Sequence, residues 1–392
     1  MSGPLSGLSI VELGGLGPSA FATMLMADLG ADVIRIDRAR AAHGGVEAAA
    51  EPRFDLLNRG KRSLALDLKR SEAVEIVLSL VERADAVTEP FRPGVAERLG
   101  LGPDICLARN PKLVYARMTG WGQEGPLSAT AGHDINYIAL TGALHGIGRA
   151  DGPPQIPVNY LGDFGGGATY LVIGLLAALR EAASTGTGQV VDAAIVDGVS
   201  HLLSSTLAMY AGGMWQDRRG VNVLDGGAPF YSVYECADGG CVAVGAGEAK
   251  FYAELLRRLG LDDDPRHQLD ESRWPDLRRR MAAVFATRTR GEWAAEFEQT
   301  DCCVTPVLGL VEAADHPHIR FRRSLGVRDG VLQAGTAPRF SGSAPGVPTP
   351  PPLPGQHSRD ILAALGLDAD RLVETGVVTA SPVPQDPKEK QR

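Results

Sequence analysis

The stretch AGHDINYIALTG, residues 131–142, sets an imidazole, His133, beside a carboxylate, Asp134, at the mouth of an apolar segment. A carboxylate close to an imidazole can hold the ring and fix its tautomer. The same pair also suits a core histidine followed by a capping aspartate. A second carboxylate, Asp163, precedes three glycines in GDFGGGATY (162–170), and the apolar run ATYLVIGLLAAL (168–179) overlaps its end. Glycines let a ligand approach the backbone, and the N–H groups at a helix start favour negative charge. An N-capping Asp163 alone does not call for three glycines. A third carboxylate, Glu248 in GAGEAKFY (245–252), stands between a strand and a helix, where an acid in a first helical turn is also common.

Basic residues recur near successive strand ends: Arg35 and Arg38, then Arg59, Lys61 and Arg62, then Arg92 and Arg98. In a doubly wound sheet such ends converge on one crevice, where several cations suit a ligand with more than one phosphate. As isolated residues they equally suit solvated loops. GLGPSA (15–20) fits G-x-G-x-x-A between a strand and a helix, with Asp37 about where a ribose-binding acid belongs. Pro18, however, removes one N–H from that turn. Nicotinamide binding and a ligand-free turn are both compatible with the motif.

The elements that must position these groups follow from periodicity. Strand-like LSIVEL (8–13), ADVIRID (31–37), SLALDL (63–68), DAVTE (85–89) and LVYARMTG (113–120) alternate with helical SAFATMLMADLG and EAVEIVLSLVERA (72–84). This alternation predicts a parallel, doubly wound α/β sheet. Residues 161–184 read as a glycine-rich turn and a buried helix, and 189–210 as a short strand and a helix. Residues 1–210 therefore form the expected large domain, with 211–228 as a linker. Two alternating runs around ADGG predict a hairpin opening a smaller α+β domain over 229–325. Residues 326–378 are expected to return to the large domain, 340–356 as loop and 358–378 as a last helical segment, with 379–392 as a disordered tail.

Bulk composition narrows the classes. The chain has 392 residues, 44% hydrophobic and 22% charged, with a net charge of −8. That is ordinary for a globular protein and leaves no basic footprint for nucleic acid. Cys106, Cys236, Cys241, Cys302 and Cys303 form no CxxC pair or zinc spacing and are expected as reduced thiols. The apolar run 168–179 is too short to span a bilayer. MSGPLSGLSIVEL lacks a signal-peptide pattern, KQR is no peroxisomal signal, and the Ala- and Arg-rich composition fits a bacterium. The expected location is cytoplasmic, with no membrane and no nucleic-acid partner.

Longer motifs carry a resemblance. LSGLSIVELGGLGPSAFATMLMADLGADVIRIDR, FRPGVAERLGLG (91–102), LVYARMTGWGQEGP (113–126) and PPLPGQHSRDILAALGL (351–367) resemble the family III CoA-transferases up to about residue 378. AGHDINY, GDFGGG, LDGGAPFY and YECADG are similar to the branch that racemises 2-methylacyl-CoA thioesters. The resemblance implies a Rossmann-like large domain and a smaller domain in an interlocked homodimer, with the active site between subunits. It implies an acyl-CoA substrate, His133 and Asp163 as two bases, Glu248 orienting or polarising His133, and Asp134 in support. Arg38 and Arg92 match basic positions of the family motifs. Arg59 and Lys61 are weaker phosphate candidates, and Leu16 is a backbone candidate. No metal, nicotinamide or flavin is implied.

Proton transfer α to a thioester needs one base on each face, and an imidazole with a carboxylate suffices once water is excluded. Within the same family the alternative is a CoA-transferase, in which Asp163 attacks the acyl-CoA and passes through an anhydride and an aspartyl thioester. The transferases usually lack a histidine at position 133, so His133 favours the racemase. A non-catalytic CoA-binding protein predicts binding without exchange of the α proton. A dehydrogenase predicts nicotinamide binding.

Overall fold

A computed structural model describes residues 2–15, 17–38 and 51–381. It divides into two compact units. The larger comprises the described residues of Met1–Thr141, Val158–Leu202 and Arg323–Arg392. The smaller comprises Gly142–Pro157 and Leu203–Arg322.

The larger unit is built on a seven-stranded sheet. Its strands are β1 (Ser9–Leu13), β2 (Asp32–Arg38), β3 (Arg62–Leu66), β4 (Ala86–Glu89), β5 (Val114–Thr119), β6 (Val190–Ala194) and β12 (Val378–Thr379). Their order is β12-β3-β2-β1-β4-β5-β6. All pairs are parallel except β12 with β3. The run β3-β2-β1-β4-β5-β6 is the doubly wound arrangement, and its strand order reverses between β1 and β4, where such sheets open a crevice at the strands' carboxyl ends. One sheet face packs Val11, Leu13, Ile36, Leu64, Val87 and Tyr115 against the helices Ser71–Val81, Pro103–Arg109 and Ser358–Ala364. The strands are near-continuous apolar runs because helices cover both faces.

The segment predicted as one last helix is two short helices, Ser358–Ala364 and Ala369–Glu374, followed by β12. The PGQHSRD motif clamps them to β3. The Gly355 N–H donates to Ser63 Oγ (2.7 Å), the Ser63 N–H to His357 Nδ1 (3.1 Å), and Ser358 Oγ–H to the Thr379 carbonyl (2.8 Å). Thr379 thus belongs to the sheet, not to a tail. Residues 382–392 of that expected tail lie outside the described residues.

In the smaller unit, β7 (Tyr231–Glu235), β8 (Cys241–Gly245) and β9 (Val304–Pro306) form an antiparallel sheet. One face packs Tyr234, Val242 and Val244 with Tyr252, Trp274, Phe285 and Trp293. Residues 211–228 differ from the expected linker. Asp225 accepts N–H bonds from Gly220 (2.9 Å), Asn222 (2.8 Å) and Gly227 (3.0 Å), and the Arg219 guanidinium donates to the carbonyls of Arg149 and His145 (both 3.0 Å). These side-chain bonds fold the segment into the unit and draw 142–157 in with it. The boundary therefore falls after Leu202, not at 210, and the chain re-enters the larger unit at Arg323. The hairpin β10 (Leu325–Arg328) and β11 (Val331–Ala334), unmarked by any turn signal read from the sequence, follows at once.

Candidate active site

His133 is the N-cap of the helix Asp134–Leu140, in extended conformation, with its backbone N–H donating to Asn136 Oδ1 at 3.0 Å. Its residue surface is exposed while Asp134 is buried. A helix start thus turns the two neighbours in different directions. Asp134 Oδ2 accepts the backbone N–H of Asp163 at 2.7 Å. Burial pushes the Asp134 carboxyl above the usual carboxylate range, and the N–H groups of Asp163 and Gly162 oppose that rise. One carboxylate therefore ties the element carrying His133 to the element carrying Asp163. Asp163 is itself buried, with Asn159 Nδ2 at 3.4 Å from its Oδ2. Asn159 was not singled out in the sequence, although it sits four residues before Asp163, one helical turn away.

The glycine reading changes in the structure. The segment Tyr160–Ala168 is a wide π-helical stretch that runs directly into the helix Thr169–Thr185. The helix start is at residue 160, so the glycines lie inside it and Asp163 lies in its first turn. A Cβ on Gly166 would stand 2.5 Å from Val199 Cγ2, and one on Gly167 would stand 3.0 Å from Ile195 Cγ1 and 3.3 Å from Pro18 Cβ. A Cβ on Gly162 would strike the Asp134 carboxylate. Gly162 admits Asp134, and Gly166 and Gly167 admit the neighbouring helices. A wide helical turn of this kind is frequent at functional positions.

The joined helical stretch Tyr160–Thr185 spans 26 residues and is long and apolar enough to cross a membrane by length and composition. Within the unit it packs through Leu171, Leu175 and Ala178, while Ile173 and Leu176 on the opposite face are exposed. The helix expected to be buried is buried on one side.

Tyr137 follows His133 by one helical turn. It is buried, stands edge-on to Trp121 at 4.7 Å between ring centroids, and donates its hydroxyl proton to the Gly132 carbonyl. Burial pushes its phenol up to about 12; the Asp163 carboxylate adds to the rise and the Arg92 guanidinium opposes it. Asp163, Tyr137 and Arg92 are therefore electrostatic neighbours. Arg92 is exposed in the turn after β4, and Arg38 is exposed at the end of β2.

Two phosphate candidates are corrected. Lys61 is fully buried and donates to Glu12 Oε2 (2.7 Å), Asn58 Oδ1 (2.9 Å) and the Ala20 carbonyl (3.0 Å). These three bonds use the ammonium's whole donor set. Arg59 is buried and grips both oxygens of Asp28, Nε at 3.0 Å from Oδ1, while Nη1 donates to the Ala334 carbonyl at 2.9 Å. Both cations are engaged by groups of the protein itself. Leu16 lies outside the described residues.

The first turn is likewise structural. A Cβ on Gly14 would strike the Ile36 carbonyl, and one on Gly15 would strike Pro90. Asp37, the candidate ribose acid, accepts from Ser63 Oγ (2.5 Å) and pairs with Arg35 (3.0 Å). Its carboxylate is spent inside the protein, which removes the main support for the nicotinamide reading.

In the smaller unit Glu248 is the exposed N-cap of the helix Ala249–Leu259, and its charge acts on the Cys303 thiol, which burial already holds above its usual range. The five cysteines are free thiols. Among the described residues there is no cluster of three or more metal-ligating side chains.

Comparison with known proteins decides the family. The model for CoA-transferase family III matches residues 5–358.

The chain belongs to CoA-transferase family III.

Within the family it is 44% identical over 390 residues to the alpha-methylacyl-CoA racemase of Mus musculus, covering 96% of this chain and 99% of that protein. The corresponding human racemase is 41% identical over 393 residues, with 96% and 99% covered. The crystal structure of a CaiB/BaiF family protein from Brucella suis superposes with a TM-score of 0.77 at 26% identity, covering 93% of this chain and all of that one. The family's opening motif, its FRPG turn and its PGQHSRD motif are thereby located: at β1 and the helix after it, at the turn bearing Arg92, and at the clamp on β3.

Proposed function

We propose that this protein is an α-methylacyl-CoA racemase, interconverting (R)- and (S)-2-methylacyl-CoA thioesters by proton transfer at the α carbon. The observation that carries this reading is the Asp134–Asp163 hydrogen bond of 2.7 Å, which draws an imidazole-bearing helix start and a second, buried carboxylate into one site. The near full-length likeness to two racemases supports it.

Asp163 takes the α proton from one face, leaving its electron pair in the thioester enolate. The His133 imidazolium returns a proton to the other face. In the reverse direction His133 abstracts and Asp163 donates. Tyr137 and Trp121 pack against each other beside Gly132, next to His133, and apolar surface that excludes water strengthens the electrostatics of the transfer. The first turn of the helix from Tyr160 places its positive dipole end by Asp163, where the enolate's charge develops. The CoA phosphates meet Arg38 and Arg92. The chemistry takes no metal, nicotinamide or flavin.

The proposal includes a homodimer in the cytoplasm, with Glu248 of one copy orienting His133 of the other. Exposed apolar residues of the larger unit support association: Leu140 (66%), Tyr160 (66%), Ile173 (55%) and Leu202 (46%). Side chains of this kind are normally covered by another surface when they gather in a patch. The family alternative, Asp163 as nucleophile in CoA transfer, does not call for an imidazole at His133.

The deciding experiment supplies one pure 2-methylacyl-CoA enantiomer without a free acid. Appearance of the other enantiomer establishes the racemase. Inversion absent, with CoA passed to an added carboxylic acid, makes the protein a transferase.

A further inference from the structure

Glu89 and Arg117 form a buried ion pair for which the proton-transfer scheme has no use. Glu89 ends β4 and stands in direct register with Arg117 of the adjacent strand β5. Glu89 is fully buried and Arg117 is 7% exposed. Glu89 Oε2 accepts from Arg117 Nε at 3.0 Å, while Glu89 Oε1 accepts the backbone N–H of Phe91 at 2.6 Å. Arg117 continues outward, Nη1 donating to Glu97 Oε1 at 2.9 Å on the helix Val95–Arg98. Its Nη2 is buried with no hydrogen-bond partner among the described residues.

The turn between these anchors is Phe91–Gly94. Its amino end hangs on Glu89 through the Phe91 N–H. Its carboxyl end closes on itself, with the Val95 N–H donating to the Arg92 carbonyl at 3.1 Å and Gly94 at φ 79°, left-handed backbone that suits glycine. The helix that follows is fastened by Glu97 to the same guanidinium. One Arg–Glu pair thus governs both ends of the turn that presents Arg92. Burying two charges is costly unless geometry and hydrogen bonds repay it, so a pair of this kind under a surface turn invites a functional account.

We propose that Glu89 and Arg117 are positioning residues for substrate binding: they hold the Phe91–Gly94 turn so that Arg92 stands where a phosphate of the acyl-CoA arrives. This rests on the proposed acyl-CoA reading of the site. The groups that face Glu89 are Arg117 and Tyr115 on β5 and Glu97 on the helix Val95–Arg98. Burial lifts the Glu89 carboxyl to about 7, against the pull of Arg117 and the Phe91 N–H. The clamp is therefore about half ionised near pH 7, fills in as pH rises above it and weakens as pH falls below it.

The test uses the full-length protein and CoA itself as probe, with dissociation constants measured by calorimetry from pH 6 to 8, alongside KM and kcat for a 2-methylacyl-CoA. Glu89→Gln leaves an amide N–H₂ facing either the Arg117 guanidinium or the Phe91 N–H. It is expected to raise KM and the CoA dissociation constant about tenfold, with kcat at saturation changed by less than about threefold. The variant should also lose most of the wild-type weakening below pH 7. Glu97→Gln, at an exposed position that tolerates substitution, should give a smaller rise in the same direction. Arg92→Ala is the control. If Arg92→Ala weakens CoA binding but neither acid variant does, the positioning claim is overturned and the site reading stands. If Arg92→Ala leaves binding unchanged, the assignment of Arg92 to the substrate fails. Loss of kcat in Glu89→Gln with unaltered KM also overturns the proposal.

Discussion

Lys61→Met separates a structural cation from a ligand-binding one. Lys61 and Glu12 have side chains with 0% exposure and stand 2.7 Å apart. The ammonium also donates to Asn58 Oδ1 and the Ala20 carbonyl, and Thr23 Oγ1 donates to the same Glu12 oxygen at 2.7 Å. Burial pushes the Lys61 ammonium pKa down and Glu12 opposes that. Methionine has nearly the volume of lysine, so the substitution opens little space and chiefly leaves Glu12 as an uncompensated buried charge. Breaking one partner of such a pair costs about 3–5 kcal/mol. At about 2–3 °C per kcal/mol for a unit of this size, the melting temperature should fall by about 6–15 °C. The double variant Glu12→Leu/Lys61→Met should recover most of that loss, because no lone charge remains. Thermal melting by circular dichroism, with CoA binding measured on the folded fraction, reads both effects. An unchanged melting temperature with CoA affinity lowered tenfold would refute the burial argument and return Lys61 to the phosphate site.

Further outcomes follow from the same geometry. Asp134→Ala removes the acceptor of the Asp163 N–H and is expected to lower kcat by about 10–100-fold with little change in KM. Asp134→Asn, which keeps a carbonyl acceptor, should be milder; steady-state kinetics of racemisation read both, and an unchanged kcat for the alanine variant would sink the tie between the two elements. Gly166→Ala places a methyl 2.5 Å from Val199 Cγ2. Overpacking of this kind costs about 1–3 kcal/mol, more than the gain of about 1 kcal/mol from alanine's helix propensity. A variant that melted higher than the wild type would show that the glycine serves something other than helix packing.

The sheet was legible because its signals are local. Each of the first five strands is a short apolar run, and amphipathic or apolar helical segments separate several of them, so the parallel direction of the strands follows from alternation. His133, Asp134 and Asp163 were legible as residue types in unusual company, though not as a joined set: the bond from Asp163 N–H to Asp134 spans 29 positions. What escaped the sequence was non-local pairing. Arg59 and Lys61 read as loop cations because their partners, Asp28 and Glu12, lie 31 and 49 positions earlier. Gly166 and Gly167 read as part of a ligand cradle because Val199 and Ile195, which need their missing side chains, come a helix later. The linker reading failed for a different, local reason. Gly- and Asp-rich sequence is usually loop, but Asp225 organises its own segment through three short N–H bonds.

The central claim is that His133 and Asp163 serve opposite faces of one α carbon. Deuterium incorporation at that carbon tests it most directly, measured in D₂O for each pure enantiomer with His133→Ala and with Asp163→Asn. Each variant should fail to racemise. Each should still exchange the α proton of the one enantiomer that faces its remaining base, and the two variants should choose opposite enantiomers. Exchange of both enantiomers by either variant, or racemisation surviving the loss of His133, would contradict the two-base account.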